Sequence, residues 1–528
     1  MTEPAWHGLA EAHMAYQRDL AQLWLNIWSV KKPEETPPKT HEDRRFSATA
    51  WSDPYYDFLK RNYLLYERFV METVEAARLD EREKTKLRFH ARQFVHALNP
   101  ANYLATNPVA LQTAINTQGE SLRKGMSNLL EDIQRGRIAT NDEQAFEVGV
   151  NLAVSPGEVI YQNELMQLIQ YSPTTDTVFE RPLLIIPPCI NKYYILDLSP
   201  QNSFVRYAVE QGHTVFMVSW RSIDESTGHL SWDDYVRDGV LKAIEVAREV
   251  RKAKEINTLG FCVGGTLLGA ALGVLAKKGE APIQSATLMA AMLDFSDTGE
   301  IGYFVDEGLV QHFEKEMGTG GVRSGRDLAS TFAALRENDL IWPYVTHNYL
   351  LGMKPLAFDL LYWNGDGANL PGPWYCWYLR NTYLENKLRE PDALSVCGES
   401  LDLSRIELPF YMVGTREDHI VPWTTAYKSN EFLRGERRFV LGAAGHIAGI
   451  INPPSQNKRS YWTNDRMPAT AEEWFAGAMQ HKGSWWPDWS AWLAPHGGER
   501  VAAPKRCGNK TYAPIEPAPG TYVKAVAS

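Results

Sequence analysis

The chain has 528 residues, with 54 Lys and Arg against 64 Asp and Glu and a formal net charge of −10. This length favours two domains, and the acidic balance argues against a nucleic-acid binder, which would normally carry a basic stripe. The sequence has no apolar run near the ~20 residues of a membrane span and no basic segment with an apolar core at its start, so we expect neither a transmembrane helix nor a signal peptide.

The start of the chain has the pattern of an amphipathic helix. Apolar residues recur at three- and four-residue steps over residues 1–30, between charged positions. Residues 31–49 are charged and proline-rich, a composition typical of a linker.

Helices are predicted to continue from Pro54 to about Arg137. Asp80 has the position of an N-cap for the segment that begins at Glu81. Two Asn-Pro pairs, at 99–100 and 107–108, should divide the run into separate helices. We therefore predict a helical N-terminal domain over residues 1–170.

Strand and helix signals alternate in the rest of the chain. Leu183–Ile186 and Thr214–Ser219 are short apolar runs typical of buried strands, and Trp232–Lys252 has the length of a helix. Strands separated by helices indicate a parallel sheet with helices on its faces. We predict that residues 171–528 form this α/β domain and carry the chemistry.

The most informative segment is a short apolar strand, a tight turn and a helix start at Ile256–Thr266. Its turn has the pattern Gly-x-Cys-x-Gly centred on Cys262, which is the nucleophile elbow of α/β-hydrolases with cysteine in place of serine. A thiol at a helix N-terminus is favoured as thiolate. The alternative is a small buried cysteine on an ordinary helix that follows a strand.

An oxyanion in this site would be bound by backbone N–H groups. We expect these from Val263, directly after the nucleophile, and from the loop near Cys189–Asn191. Cys189 is a rival nucleophile but lies outside the elbow, and Cys376 and Cys397 are interpreted as structural. The cysteines show no CxxC or His/Cys metal spacing, so we predict no metal site.

A long insertion over residues 292–407 separates the predicted strand at Ser285–Ala290 from the one that begins near Phe410. In α/β-hydrolases such an insertion caps the elbow, and this one should control access to it. Most of its aromatic residues should form the core of the cap itself: Trp342, Tyr344, Tyr349, Tyr362, Trp363, Trp374, Tyr375, Trp377 and Tyr378.

An acid and a base follow the nucleophile in the order that this fold requires. Asp418 comes directly after a buried strand, and His446 lies between small residues on a loop after the next strand. Glu417 is a rival acid and His419 a rival base. The ordered set Cys262, Asp418 and His446 is the predicted catalytic triad.

These segments resemble the class I polyhydroxyalkanoate synthases from about residue 95 to the C-terminus. The matching stretches are Pro187–Leu198, Gly260–Thr266, Asn369–Tyr378, Arg416–Trp423, Gly445–Gly449, Ile451–Pro454 and Gly483–Trp489.

The resemblance implies an acyltransferase that polymerises short-chain (R)-3-hydroxyacyl-CoA into polyester. The acyl group would be carried as a thioester on Cys262, and CoA would be released. The CoA thioester is then a substrate, and no cofactor is implied. The likeness also implies a homodimer and a cytoplasmic enzyme at the surface of polyester granules, with granule-associated proteins as further partners. Asp418 would either orient His446 or help to deprotonate the 3-hydroxyl group, and both roles stay open.

Two other classes are compatible with parts of the pattern. A thiol hydrolase of the dienelactone-hydrolase type carries the same residue order, although such enzymes are far shorter and lack a large cap. A non-enzymatic granule scaffold would use the N-terminal helices as its working surface, but it would not need the ordered residues Cys262, Asp418 and His446.

Overall fold

The computed structural model of the protein describes residues 7–28 and 43–527. In chain order its α-helices are α1 (His7–Trp28), α2 (Pro54–Ala76), α3 (Glu81–Ala97), α4 (Pro108–Asn116), α5 (Glu120–Arg135), α6 (Phe204–Glu210), α7 (Trp232–Asp234), α8 (Lys242–Arg251), α9 (Val263–Lys278), α10 (Glu307–Met317), α11 (Gly325–Leu335), α12 (Glu337–Leu340), α13 (Trp342–Tyr344), α14 (Asp359–Gly365), α15 (Gly372–Tyr378), α16 (Trp423–Lys428), α17 (Ala471–Ala476) and α18 (Trp486–Leu493). The strands of the main sheet are β1 (Gly157–Gln162), β2 (Met166–Tyr171), β3 (Leu183–Ile186), β4 (Val215–Trp220), β5 (Ile256–Phe261), β6 (Ile283–Met289), β7 (Phe410–Thr415), β8 (Arg437–Gly442), β9 (Ser460–Thr463), β10 (Met479–Lys482) and β11 (Glu516–Pro517).

One compact unit contains the described residues up to Asp142 together with Ser330–Ala357. Its helices begin where the sequence supplies caps. The Asp80 side chain accepts a hydrogen bond from the Glu83 N–H at 2.9 Å, which confirms the predicted N-cap of α3. Asn107 likewise accepts from two N–H groups at the start of α4, with Pro108 in the first helical position.

The predictions for the first fifty residues are confirmed only in part. Helix α1 confirms the helix predicted over residues 1–30, within His7–Trp28. Most of the predicted linker, residues 31–42, lies outside the described residues. The remainder begins with a 3₁₀ turn at Arg44–Phe46, capped by Asp43.

The second compact unit contains residues 143–329 and the described residues from 358 onward, and it is built around the main sheet. Within the described residues the strand order is β10-β9-β8-β7-β6-β5-β3-β4-β2-β1-β11. The central strands from β8 to β4 are parallel, and antiparallel strands extend both edges. This confirms the predicted α/β fold, and parallel pairing brings the carboxyl ends of β5, β7 and β8 to one edge.

The central strands are continuous apolar runs because helices cover both faces of a parallel sheet. Strands β4, β5 and β7 are buried at every position. Phe204 of α6 packs against the indole rings of Trp485, Trp486 and Trp489 at centroid distances of 4.7–6.0 Å. The core therefore fixes strands β5, β7 and β8, whose ends carry the predicted site residues.

The structure divides the chain differently from the predicted boundary at residue 170. Strand β1 precedes that boundary and β2 crosses it, yet β2 is fully buried and pairs with β4 in the main sheet. Residues 143–170 therefore belong with the α/β unit. The predicted insertion over residues 292–407 is divided as well, because Ser330–Ala357 belongs to the helical unit and the rest to the α/β unit.

Candidate active site

Cys262 occupies the turn between strand β5 and helix α9. Its φ of 53° and ψ of −128° are a left-handed conformation that costs a residue with a Cβ of order 1–3 kcal/mol. Neighbouring glycines allow this turn, since a Cβ on Gly264 would lie 2.6 Å from the carbonyl oxygen of Pro187, and one on Gly260 would press into the first helical turn. The Cys262 N–H donates to the carbonyl of Met289 at 2.9 Å. The strained elbow predicted from the sequence is present.

Asp418 lies buried just beyond the end of β7. Its Oδ1 accepts from the N–H groups of Ile420 and Val421, both at 2.9 Å. Its Oδ2 accepts from the Thr415 hydroxyl at 2.9 Å and lies 2.7 Å from Nδ1 of His446. Burial alone would raise the pKa of Asp418, but the charge of His446 and these hydrogen bonds lower it overall. The carboxylate is therefore ionised and held rigidly.

His446 lies on the loop after β8 and is buried between charged and aromatic groups. The ring of Phe261 stacks on the imidazole at 5.6 Å between centroids and 22° between planes. Burial opposes the charged form, but Asp418 and Cys262, through their charges and hydrogen bonds, raise the pKa of His446 well above its usual value. Because Asp418 occupies Nδ1, Nε2 is the nitrogen available to the thiol.

The structure places Asp418, and not its rival Glu417, against His446. Glu417 is exposed, and its N–H donates to the carbonyl of Ala444 at 3.0 Å, which fastens the loop that carries His446. The backbone carbonyl of His419 accepts from the N–H of Glu300 at 3.1 Å. Asp418 is thus the carboxylate that reaches His446.

The predicted oxyanion donors lie beside the elbow. Val263 is the first residue of α9, so its N–H has no acceptor within the helix. The loop after β3 carries Cys189, which is 2% exposed and within electrostatic range of Cys262. Burial raises the pKa of Cys189 well above its usual value, which favours the neutral thiol and a structural role.

The remaining cysteines have environments that suppress ionisation. Burial raises the pKa of Cys376 to about 11, with a further contribution from Glu314. Burial and then Asp233 raise the pKa of Cys397 to about 11. Burial also raises the pKa of Cys507. Of the five thiols, Cys262 is the one placed on the elbow beside an imidazole.

Two tyrosines of the insertion lie within electrostatic range of the thiol. Burial and the charge of Cys262 raise the pKa of Tyr383, and Tyr378 lies within range of the same group. Tyr378 stacks on Trp232 at 5.7 Å and meets Tyr383 edge-on at 5.5 Å. Neither Tyr383 nor Phe261 is among the predicted site residues. Phe261 had one signal, its place directly before the nucleophile, whereas Tyr383 had only the general aromatic enrichment of the insertion.

The described residues provide no cluster of three or more His, Cys, Asp or Glu side chains suited to a metal ion. Among the helices of residues 7–28 and 43–527, none combines the length and apolar character needed to cross a membrane.

Known proteins share both parts of this chain. Residues 42–208 match the family model "Poly-beta-hydroxybutyrate polymerase (PhaC) N-terminus", and residues 182–453 match the alpha/beta hydrolase fold. The chain is 53% identical over 525 residues to the poly(3-hydroxyalkanoate) polymerase subunit PhaC of Cupriavidus necator, covering 98% of this chain and 89% of that protein. The corresponding subunit of Rhizobium etli is 41% identical and covers 93% and 78%. A solved monoacylglycerol lipase from Paleococcus ferrophilus is 12% identical with a TM-score of 0.34, over 53% of this chain and 90% of the lipase.

Proposed function

The chain belongs to the poly(3-hydroxyalkanoate) polymerase family, and we propose that it polymerises short-chain (R)-3-hydroxyacyl-CoA through a thioester on Cys262. One observation carries the mechanism: the Asp418 carboxylate lies 2.7 Å from Nδ1 of His446, and Cys262 lies within electrostatic range of the same imidazole. This is the arrangement of an activated nucleophile, its base and the group that orients the base.

Acylation exchanges one thioester for another. His446 takes the proton of Cys262, and Sγ attacks the carbonyl carbon of the acyl-CoA. The oxyanion that forms is stabilised by the N–H of Val263 and by an amide of the loop near Cys189–Asn191. The carbon–sulfur bond to CoA then breaks, and CoA leaves as a thiol with the proton from His446. Because the two thioesters are nearly equal in energy, the acyl group on Cys262 stays activated.

Elongation converts that thioester into an ester. A hydroxyl group attacks the acyl carbon, an ester bond forms, and the sulfur of Cys262 leaves and is reprotonated. An ester is more stable than a thioester, so this step is favourable. Asp418 would act through His446, or it would take the hydroxyl proton directly, in which case the lowered pKa of Asp418 makes it a weak base.

The residues around the thiol support a closed site. Tyr378 and Tyr383 of the insertion lie within electrostatic range of Cys262, so we expect part of the insertion to move to admit acyl-CoA and to release the growing polyester. We further propose a homodimeric enzyme that works in the cytoplasm at the granule surface, where granule-associated proteins are its partners. These last points follow from the family resemblance.

The decisive experiment compares Cys262→Ala with Cys397→Ala in the purified protein. Released CoA and turbidity are followed together with 3-hydroxyacyl-CoA substrates of several chain lengths. We expect Cys262→Ala to lose both signals and Cys397→Ala to keep them, with the fastest turnover on short chains. Substantial CoA release by Cys262→Ala would contradict the mechanism. CoA release that yields soluble acid without polymer would instead identify a thiol hydrolase.

A further inference from the structure

Lys192 is a buried lysine on the loop that follows strand β3. Its side chain is 5% exposed, and its Nζ lies 2.6 Å from Oδ1 of Asp366. The same Nζ donates to the carbonyl oxygen of Ala525 at 2.7 Å. Asp366 in turn accepts from the Tyr194 hydroxyl at 2.8 Å through its other oxygen. The ammonium group therefore joins the loop to Asp366 of the insertion and to the C-terminal segment.

The backbone of this loop is fastened to the same stretch of the insertion. The carbonyl of Ile190 accepts from the N–H of Ala368 at 2.9 Å. The carbonyl of Lys192 accepts from the indole N–H of Trp363 at 2.7 Å. Residues 363–368 thus hold the loop at two backbone positions in addition to the contact between Lys192 and Asp366.

A buried ion pair of this kind is poor evidence for stability. Removing two charges from water is costly, and well-packed apolar residues of similar volume often stabilise a fold equally well. What the pair does provide is a fixed geometry, because a lysine with short contacts to a carboxylate and a carbonyl has few alternative positions. The pair lies one residue beyond Cys189–Asn191, the stretch expected to supply an oxyanion donor.

We propose that Lys192 is a positioning residue, which holds the loop and its oxyanion donor in register with Cys262 through Asp366 and the carbonyl of Ala525. The C-terminal segment is then a structural support of the active site. This inference rests on the proposed function, since it assumes that acyl transfer on Cys262 passes through an oxyanion.

The test compares two reactions of the same thiol. Acyl transfer from 3-hydroxyacyl-CoA forms an oxyanion, whereas alkylation of Cys262 by iodoacetamide does not. Misplacing the donor by about 1 Å in Lys192→Met should lower kcat for CoA release about 10- to 100-fold, with a smaller change in KM. The rate of alkylation should stay close to that of the unaltered protein.

Two further variants separate positioning from folding. Lys192→Met combined with Asp366→Leu leaves no unpaired buried charge, so it should recover the melting temperature while kcat stays low. Arg438→Met is the matched control, because Arg438 donates to Asp488 at 3.0 Å at the opposite, amino-terminal end of strand β8. It should lose stability and keep kcat.

The kinetic and alkylation results decide whether Lys192 positions the loop. Unchanged kcat in the double variant, or equal losses of kcat and alkylation in Lys192→Met, would overturn the positioning role. Failure of the proposed function is seen separately, either as CoA release by Cys262→Ala or as CoA release by the unaltered protein that yields soluble acid without polymer.

Discussion

Substitution of Gly264 by alanine tests whether the elbow needs a bare backbone at the start of α9. A Cβ at this position would lie 2.6 Å from the carbonyl oxygen of Pro187 and closer still to that of Ile186. Ordinary contacts of a Cβ are 3.4–4 Å. Helix α9 or the loop after β3 must therefore move by about 1 Å, and no side chain can absorb the shift because both neighbours are backbone atoms.

The expected cost can be worked out from this clash. Alanine in place of glycine in a helix gains about 1 kcal/mol from propensity. Overpacking against a rigid backbone costs about 1–3 kcal/mol and occasionally more. The net destabilisation is therefore about 0–2 kcal/mol, so the protein should still fold. Activity should fall far more, about 100-fold, because a displacement of about 1 Å separates Cys262 from its oxyanion donors.

The control is the same substitution further along the same helix. A Cβ on Gly273 would lie 3.0 Å from Cδ2 of Leu401, the flexible end of a side chain. Gly273→Ala should therefore keep full activity and stay within about 1 kcal/mol of the original stability. CoA release and urea unfolding are measured for both variants. Full turnover by a folded Gly264→Ala protein would refute the assignment of the elbow.

Other predictions concern the two histidines His446 and His96 and the residues that contact them. His446→Gln should slow acylation by about 10³-fold or more, whereas Asp418→Asn should retain part of it and stall elongation, as separate assays of the first CoA burst and of turbidity would show. Phe261→Leu removes the ring on the imidazolium and should slow the burst about 2- to 30-fold. Burial and Arg45 oppose protonation of His96, but Glu337 at 2.6 Å and Glu67 raise its pKa overall. Protonated His96 therefore stabilises the fold fully below pH 6.5, and this stabilisation is lost as the pH rises through the raised pKa of His96. The melting temperature of the unaltered protein should fall over that pH range, whereas the melting temperature of His96→Gln should not.

The elbow and its partners could be predicted because each depends on local sequence. Gly-x-Cys-x-Gly between a strand and a helix leaves few backbone conformations, and the structure has the strained turn at Cys262. Asp418 and His446 follow strands whose carboxyl ends must meet at one edge of a parallel sheet. Their hydrogen bond at 2.7 Å is a consequence of that topology.

The domain boundary could not be predicted from local patterns. Strand β2 is tied to the central strands by antiparallel pairing with β4. This contact joins residues about fifty positions apart, so local periodicity gives no sign of it. Ser330–Ala357 is helical and aromatic like the rest of the insertion, yet it joins the helical unit, where Glu337 meets His96. The partners of Lys192 were hidden for the same reason, since Ala525 lies more than three hundred residues away.

The order of nucleophile, acid and base does not by itself distinguish a polymerase from a hydrolase, because water and a hydroxyl group attack a thioester in the same way. The difference must come from the surroundings of Cys262, which decide how often water reaches the acyl carbon. Tyr378 and Tyr383 lie within electrostatic range of the thiol, and Trp232 stacks on both Tyr378, at 5.7 Å, and Trp377, at 4.3 Å. We expect these rings to form an aromatic wall that limits the access of water to the acyl carbon. Opening the wall, as in Tyr383→Ala, should therefore raise the yield of free hydroxy acid relative to polymer, and an unchanged ratio would show that water is excluded elsewhere.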